Sequence, residues 1–177
     1  STGQPKGVMI EQSSLTNFTM AAIQSYNIGH RDRILQFASI SFDTAAEEIY
    51  PCLVTGSTLI LRSNDMLSST ERFLQACRDW QLTVLDLPTA YWHQLVSTLA
   101  TENLVLPPSL RLVIIGGERV SPELVRTWQK YVGEKPHLIN SYGPTETTVI
   151  ATTHLITAAQ GVPPNNSIGK PIINTQT

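Results

Sequence analysis

Charge is scarce in this sequence. Only 15% of its 177 residues are Asp, Glu, Lys or Arg, against roughly 25% in an average soluble domain, while 41% are hydrophobic. That balance excludes a disordered, self-repelling chain and leaves ample apolar material for a core. A basic excess is also missing. Twelve Lys and Arg face 14 Asp and Glu, a formal net charge of −2, so there is no basic stripe for nucleic acid and no polybasic patch for a membrane surface. No apolar run approaches the roughly 20 residues that span a bilayer, and no charged-then-apolar leader opens the chain, so a cytoplasmic setting is expected. The only cysteines are Cys52 and Cys77; without CxxC spacing or clustered histidines they suggest neither a disulfide framework nor a zinc site and are expected to be buried, reduced thiols. His30, His93, His137 and His154 show no ligand spacing and no partnered nucleophile, and read as structural or surface residues.

What is present alternates. Short runs rich in Val, Ile and Leu at residues 8–10, 34–38, 58–61, 84–87, 112–115, 137–139 and 148–152 read as strands. Between them lie helix signals: a Ser13-Ser14 start running to 26, an Asp43 start running to 55, and Ser68-Ser69-Thr70-Glu71 as a capping box. A helix from Pro88 to 99 follows, and Ser121-Pro122-Glu123 opens another through 132 with an N-cap serine and an N1 proline. No linker or internal repeat interrupts the series, and the nearly continuous apolar character of the strands suits a sheet covered on both faces. The expected fold is α/β, a mostly parallel sheet flanked by helices, with ligands beyond the carboxyl ends of the strands. The chain opens on Ser1 inside a loop and stops at Thr177 without a cap, so both ends read as cuts.

Four segments carry chemistry. Ser1-Thr2-Gly3-Gln4-Pro5-Lys6-Gly7 gathers hydroxyls, glycines and one cation, a donor set for phosphate, although such a turn also serves as a plain solvated loop. Lys6 follows proline, not glycine, so a Walker loop is excluded. Ile114-Ile115-Gly116-Gly117-Glu118 ends a strand in two glycines and an acid, where a flat ligand could meet backbone; a tight strand-to-helix turn explains it nearly as well. Asn140-Ser141-Tyr142-Gly143-Pro144-Thr145-Glu146 follows another strand and offers an aromatic face, a close-approach glycine, a hydroxyl and a carboxylate for a hard cation such as magnesium, against the plain reading of a Gly-Pro turn with a capping acid. Asp43 and Glu47 share one helical face while Glu48 turns about 100° away. Asp43 is also an ordinary N-cap residue. Asp86 lies inside a strand, where a carboxylate needs a partner unless it reaches solvent or caps the next helix.

In order and spacing these segments, with Ser41-Phe42-Asp43 and the run Glu11 to Phe18, resemble the core motifs of the adenylate-forming (AMP-binding) superfamily, and the nonribosomal peptide synthetase branch more than the acyl-CoA ligases. The resemblance implies that residues 1–177 are an internal part of one adenylation domain, belonging to its large N-terminal region and lacking the C-terminal lid domain. It implies ATP with Mg²⁺, a phosphopantetheine thiol on a partner carrier domain, and peptidyl carrier and condensation domains as partners, with no nucleic acid and no membrane. Thr2, Gly3 and Lys6 would belong to the phosphate loop. Gly116, Gly117 and Glu118 would wall the adenine side, Asn140 and Tyr142 would hold the base, Thr145 would touch the α-phosphate and Glu146 would bind magnesium. Thr145, Glu146 and Lys6 would thus form the catalytic set, and Asp43 would pair with a substrate α-ammonium. The positions matching the family's specificity pattern are Asp43, Thr44, Glu47, Asp86, Ile114, Gly116, Ser141, Val149 and Ile150. Two acids beyond Asp43 ask for a second cation, so a basic substrate, lysine or ornithine, is expected, with a buried water or an internal protein cation as the alternative answer to them. The alternatives are an acyl-CoA or aryl-acid ligase of the same superfamily, or a noncatalytic nucleotide-binding α/β module. The ribose-binding Asp, the hinge and the catalytic Lys of the lid are not in this chain, which alone is expected to be inactive.

Overall fold

Apolar side chains of both parities along the strands require cover on both faces of the sheet, and the computed structural model, which describes Gly3, residues 7–157 and residues 167–176, supplies it. The elements run α1 (Gln12–Tyr26), β1 (Arg33–Gln36), α2 (Thr44–Thr55), β2 (Thr58–Leu61), α3 (Thr70–Asp79), β3 (Val84–Pro88), α4 (Thr89–Glu102), β4 (Leu112–Gly116), α5 (Pro122–Tyr131), β5 (His137–Tyr142), β6 (Thr152–Ile156) and β7 (Lys170–Pro171). Strand order in the seven-stranded sheet is β2-β1-β3-β4-β5-β6-β7. Strands β1 to β5 pair in parallel, whereas β6 and β7 are added antiparallel.

Alternation splits each strand between two cores. Ile34, Val84, Ile114 and Ile139 face Phe18, Ala21 and Ala22 of α1 and Cys52 of α2. Leu35, Leu85, Leu87, Val113, Ile115 and Leu138 face Phe73, Leu74, Trp92, Leu95, Val125 and Trp128 of α3, α4 and α5. Trp92 and Trp128 lock α4 to α5 with ring centroids 5.7 Å apart; cutting either back to alanine removes about 3–5 kcal/mol.

The helix signals act as their chemistry demands. Ser69 Oγ accepts from the Arg72 amide and Ser121 Oγ from the Leu124 amide, each satisfying a first-turn donor. Inside α2, Pro51 has no N–H to give the carbonyl of Glu47. The two cysteines are free and buried, and burial pushes their thiols up to about 11 for Cys52 and about 12 for Cys77. Among the described residues no helix is long and apolar enough to cross a membrane.

Two expected strands need correction. Residues 8–10 form none; Met9 is 99% exposed and no sheet edge receives the segment. Of residues 148–152 only Thr152 enters a strand, because a 3-10 turn at Thr145–Thr147 is followed by Thr148 and Val149 at φ 66° and 69°. That reversal sends β6 back antiparallel to β5 and places the strand four residues later.

Candidate functional site

Asp86 is the second residue after Val84 on β3, so it points to the α1/α2 side, beside Ile114 of β4 in register. It is 4% exposed, its Oδ2 has no hydrogen-bond partner, and α4 has no side-chain cap. The readings in which it reaches solvent or caps α4 therefore fail. Asp43 likewise occupies the N-cap position of α2 without making a side-chain cap bond, and its Oδ2 is buried and unpartnered. Glu47, one turn on, shares that face and accepts a hydrogen bond from the Tyr26 hydroxyl. Glu48, rotated away, accepts from the Phe37 and Ala38 amides at 2.9 Å each and from Gln36 Nε2 at 3.0 Å, stitching α2 to the carboxyl end of β1.

One cavity of about 580 Å³ gathers Asp43, Glu47 and Asp86. Of the nine residues matched to the specificity pattern, Asp43, Thr44, Glu47, Asp86, Gly116, Ser141, Val149 and Ile150 line it. Ile114 lies in the apolar cluster beneath, with Val149 and Ile150. Burial, then the neighbouring Glu48 and Asp43 charges, pushes Glu47 up to about 7, against the Tyr26 bond that lowers it. Burial, then Glu47 and Glu48, raises Asp86 well above the ordinary carboxylate range. Among the described residues no ion pair involves Asp43, Glu47 or Asp86. Arg62 lines the same cavity, but its guanidinium stacks over Phe37 at 5.6 Å and its charge acts on Glu48. The cavity thus holds acids, of which burial pushes Glu47 and Asp86 toward their protonated forms, with no ion pair to them among the described residues.

A second cleft, about 670 Å³, adjoins the first through Gly117, Glu118, Ser141 and Gly143, and is lined further by Asn140, Tyr142 and His154. Two glycines make the junction possible. A Cβ on Gly116 would stand 2.7 Å from Ser141 Oγ, and one on Gly143 would stand 2.5 Å from Ile150 Cα. The close approach that Gly143 permits is therefore to the chain's own backbone, which it brings in to form the cavity wall. Val149, a β-branched residue at positive φ, holds strain at that wall. Tyr142 is half-exposed and offers its ring. His154 lines the cleft, and its Nε2 is buried without a partner among the described residues.

Thr145 and Glu146 stand exposed on the turn after β5 and line neither recess. Gly3 is exposed with open space around it, and Thr2 and Lys6 lie outside the described residues. No cluster of three or more His, Cys, Asp or Glu fit for a metal occurs among the described residues; a lone exposed carboxylate such as Glu146 suits a magnesium ion whose other ligands are phosphate oxygens and water. Another cavity, about 1120 Å³, borders Arg111, Leu112 and His137 at the opposite, amino end of the strands, away from this chemistry.

Three lining or supporting residues escaped the sequence reading. His154 faces Asn140 in the β5–β6 register, a pairing visible only once β6 is placed correctly. Tyr26 meets Glu47 across 21 residues and two helices, and Arg62 follows an edge strand; neither contact has a local sequence signal.

The profile of the AMP-binding enzyme family matches residues 1–177. The isonitrile lipopeptide synthase of Streptomyces coeruleorubidus is 44% identical over 176 residues, covering 99% of this chain and 12% of that protein. Gramicidin S synthase 1 of Brevibacillus brevis is 39% identical over 178 residues, 99% of this chain and 15% of that protein. The chain thus spans less than a sixth of either relative. Among solved structures, the nonribosomal peptide synthetase FmoA3 superposes with a TM-score of 0.83 at 23% identity, over 98% of this chain and 18% of that one. The N-terminal subdomain of Klebsiella oxytoca NpsA does so with a TM-score of 0.79 at 24% identity, over 98% of this chain and 43% of that one. Both share the fold.

Proposed function

Since the chain belongs to the AMP-binding enzyme family, we propose that it is an internal part of one adenylation domain of a nonribosomal peptide synthetase, that the domain activates an amino acid with ATP, and that the amino acid carries a basic side chain. The observation that carries this reading is the single cavity holding Asp43, Glu47 and Asp86 with no cation among the described residues paired to them. One carboxylate, Asp43, answers the α-ammonium of the amino acid. Glu47 and Asp86 then receive a distal ammonium, and lysine fits better than ornithine because these acids lie deep and leave room for a long side chain.

In the reaction, a carboxylate oxygen of the amino acid bonds to the α-phosphorus of ATP while the bond from that phosphorus to the bridging oxygen breaks, giving aminoacyl-AMP and pyrophosphate. A phosphopantetheine thiol of a peptidyl carrier domain then attacks the carbonyl and AMP leaves; a condensation domain consumes the thioester. No covalent nucleophile of the protein is needed, so the chain's task is positioning and charge neutralisation. Asn140, Tyr142 and the Gly116-Gly117-Glu118 turn hold the base, Thr145 reaches the α-phosphate, and Thr2, Gly3 and Lys6 hold the outer phosphates. Glu146 holds magnesium, which when bound neutralises phosphate charge. The lid domain completes the site from elsewhere in the protein. An acyl-CoA or aryl-acid ligase would leave Asp43 facing a substrate without an α-ammonium, at the cost of a buried, unpaired carboxylate.

The test is amino-acid-dependent ATP–pyrophosphate exchange with the full-length protein that contains this chain, across the common amino acids and ornithine. Exchange with lysine or ornithine supports the reading. Exchange with a neutral amino acid alone retains adenylation and discards the basic substrate, and exchange with none discards both.

A further inference from the structure

Tyr26 lines no part of the acidic cavity, yet it controls one of the acids that do. It is 2% exposed at the end of α1, and its hydroxyl donates to Glu47 Oε1. The backbone that carries the ring is clamped from behind. Arg111 Nη1 donates to the Tyr26 carbonyl and Arg111 Nη2 to the Asn27 carbonyl, both at 3.0 Å. The same guanidinium is forked onto Asp32, with Nε to Oδ1 at 2.7 Å and Nη2 to Oδ2 at 2.6 Å. The Asp32–Arg111 pair thus holds the backbone of the residue whose hydroxyl, at the far end of its ring, reaches Glu47.

The geometry points to Tyr26 as a positioning residue for substrate selectivity: by occupying Oε1 it fixes the Glu47 carboxylate so that Oε2, together with the unpartnered Oδ2 of Asp86, receives the distal ammonium of a basic amino acid. This rests on the adenylation of a basic substrate set out above. A glutamate has three rotatable bonds, and a ligand that must also order it binds more weakly; a carboxylate already held avoids that cost. The phenol is a permanent donor, since burial and then the Glu47 charge raise its pKa well above 10. A hydrogen bond to the ionised carboxylate also favours the charged form that a cation needs.

The experiment uses the full-length protein and compares pyrophosphate exchange with lysine and with norleucine, its uncharged near-isostere. Tyr26→Phe keeps the ring and removes the donor. The expected result is about a tenfold fall in kcat/KM for lysine, carried by KM, with norleucine and the KM for ATP changed less than about twofold. An equal fall for both amino acids, or no change in their ratio, overturns the role. Replacement of Tyr26 by 3-fluorotyrosine keeps shape and donor while strengthening the hydrogen bond, and provides a fold-safe second reading. The groups facing Glu47 are Tyr26 from α1, Asp43 and Glu48 from α2 and Asp86 from β3, with Arg62 after β2 also lining the cavity, and all except the fluorinated phenol stay unaltered. The acid limb of the lysine pH profile should then move to lower pH while the norleucine profile stays in place; an unmoved limb overturns the role. A wild-type protein that does not discriminate lysine from norleucine removes the basic-substrate reading and this inference with it. Discrimination in the wild type that Tyr26→Phe leaves intact removes the inference alone.

Discussion

The two ends of the parallel strands treat a buried acid in opposite ways. At the amino ends, Asp32 precedes β1, Thr83 precedes β3 and Arg111 precedes β4, and the three meet. Asp32 accepts from Arg111 twice, from Thr83 Oγ1 at 2.7 Å and from the Gly29 amide at 2.9 Å. Burial raises its pKa, but the Arg111, Gly29 and Thr83 hydrogen bonds outweigh that and hold it below the ordinary aspartate value. Toward the carboxyl ends, Asp43, Glu47 and Asp86 gather in one cavity with, among the described residues, two unpartnered oxygens and no ion pair. A folded chain gains nothing from leaving acids in that state, and the contrast with the paired end supports the proposal that the cavity serves a ligand.

The sharpest way to break the contrast is to neutralise the unpaired end. Glu47→Gln combined with Asp86→Asn in the full-length protein should cut kcat/KM for lysine by about 1000-fold, about 4 kcal/mol, while leaving norleucine nearly unaffected, measured by pyrophosphate exchange. An equal loss for both amino acids would mean that these acids serve the fold. The neighbouring Glu48 supplies the control. Glu48→Ala strips acceptors from Phe37, Ala38 and Gln36 and should cost about 3 kcal/mol of stability in denaturant unfolding, with no fall in the lysine to norleucine ratio, since losing its charge only eases ionisation of Glu47 and Asp86. At the paired end, Arg111→Met should cost about 2 kcal/mol at pH 7, a figure reduced for a guanidinium one-third exposed. The folded pKa of Asp32 is depressed, so its contribution is complete above the unfolded value near 4 and is lost as pH falls through the folded one. Unfolding at pH 7 and pH 3 should therefore show a smaller drop in Arg111→Met than in the wild type; equal drops would sever Arg111 from that pKa.

The paired end is harder to read in sequence than the unpaired one. Parallel α/β layering follows from the alternation of apolar runs with capped amphipathic segments, and the α3 and α5 caps fall at Ser69 and Ser121, within the motifs that signal them. The acids of the cavity are legible because their spacing is local, with Asp43 and Glu47 one helical turn apart. Asp32, Thr83 and Arg111 carry no such mark, for they are loop residues brought together across 51 and 79 positions. Residues 148–152 mislead for another reason. Thr, Val and Ile favour extended backbone, and only the tertiary demand to wall the cavity holds Thr148 and Val149 at positive φ. Placing the strand there hid the facing of His154 and Asn140, and with it one lining of the second cleft.

The smallest expected effect is also the cleanest test of which end does the chemistry. Glu47 sits near pH 7 because burial, then Glu48 and Asp43, favour its protonated form. With a folded pKa raised above the unfolded value near 4.3, the protonated group stabilises the empty fold at low pH, and that contribution is lost as pH rises through about 7. A substrate cation needs the ionised form, so binding gains over the same interval. The ratio of kcat/KM for lysine to that for norleucine should therefore climb as pH rises toward 7, by at most about tenfold per pH unit for one proton, and level off above it. Taking the ratio cancels every titration that acts equally on both substrates; Glu48, likewise pushed up to about 7 by burial, holds backbone amides and enters the ratio only through its charge on Glu47 and Asp86. What remains belongs to the Glu47–Asp86 pair as a unit. A ratio that stays flat between pH 6 and pH 8 would mean that no substrate cation touches these acids, and the difference between the two ends of the sheet would then need another cause.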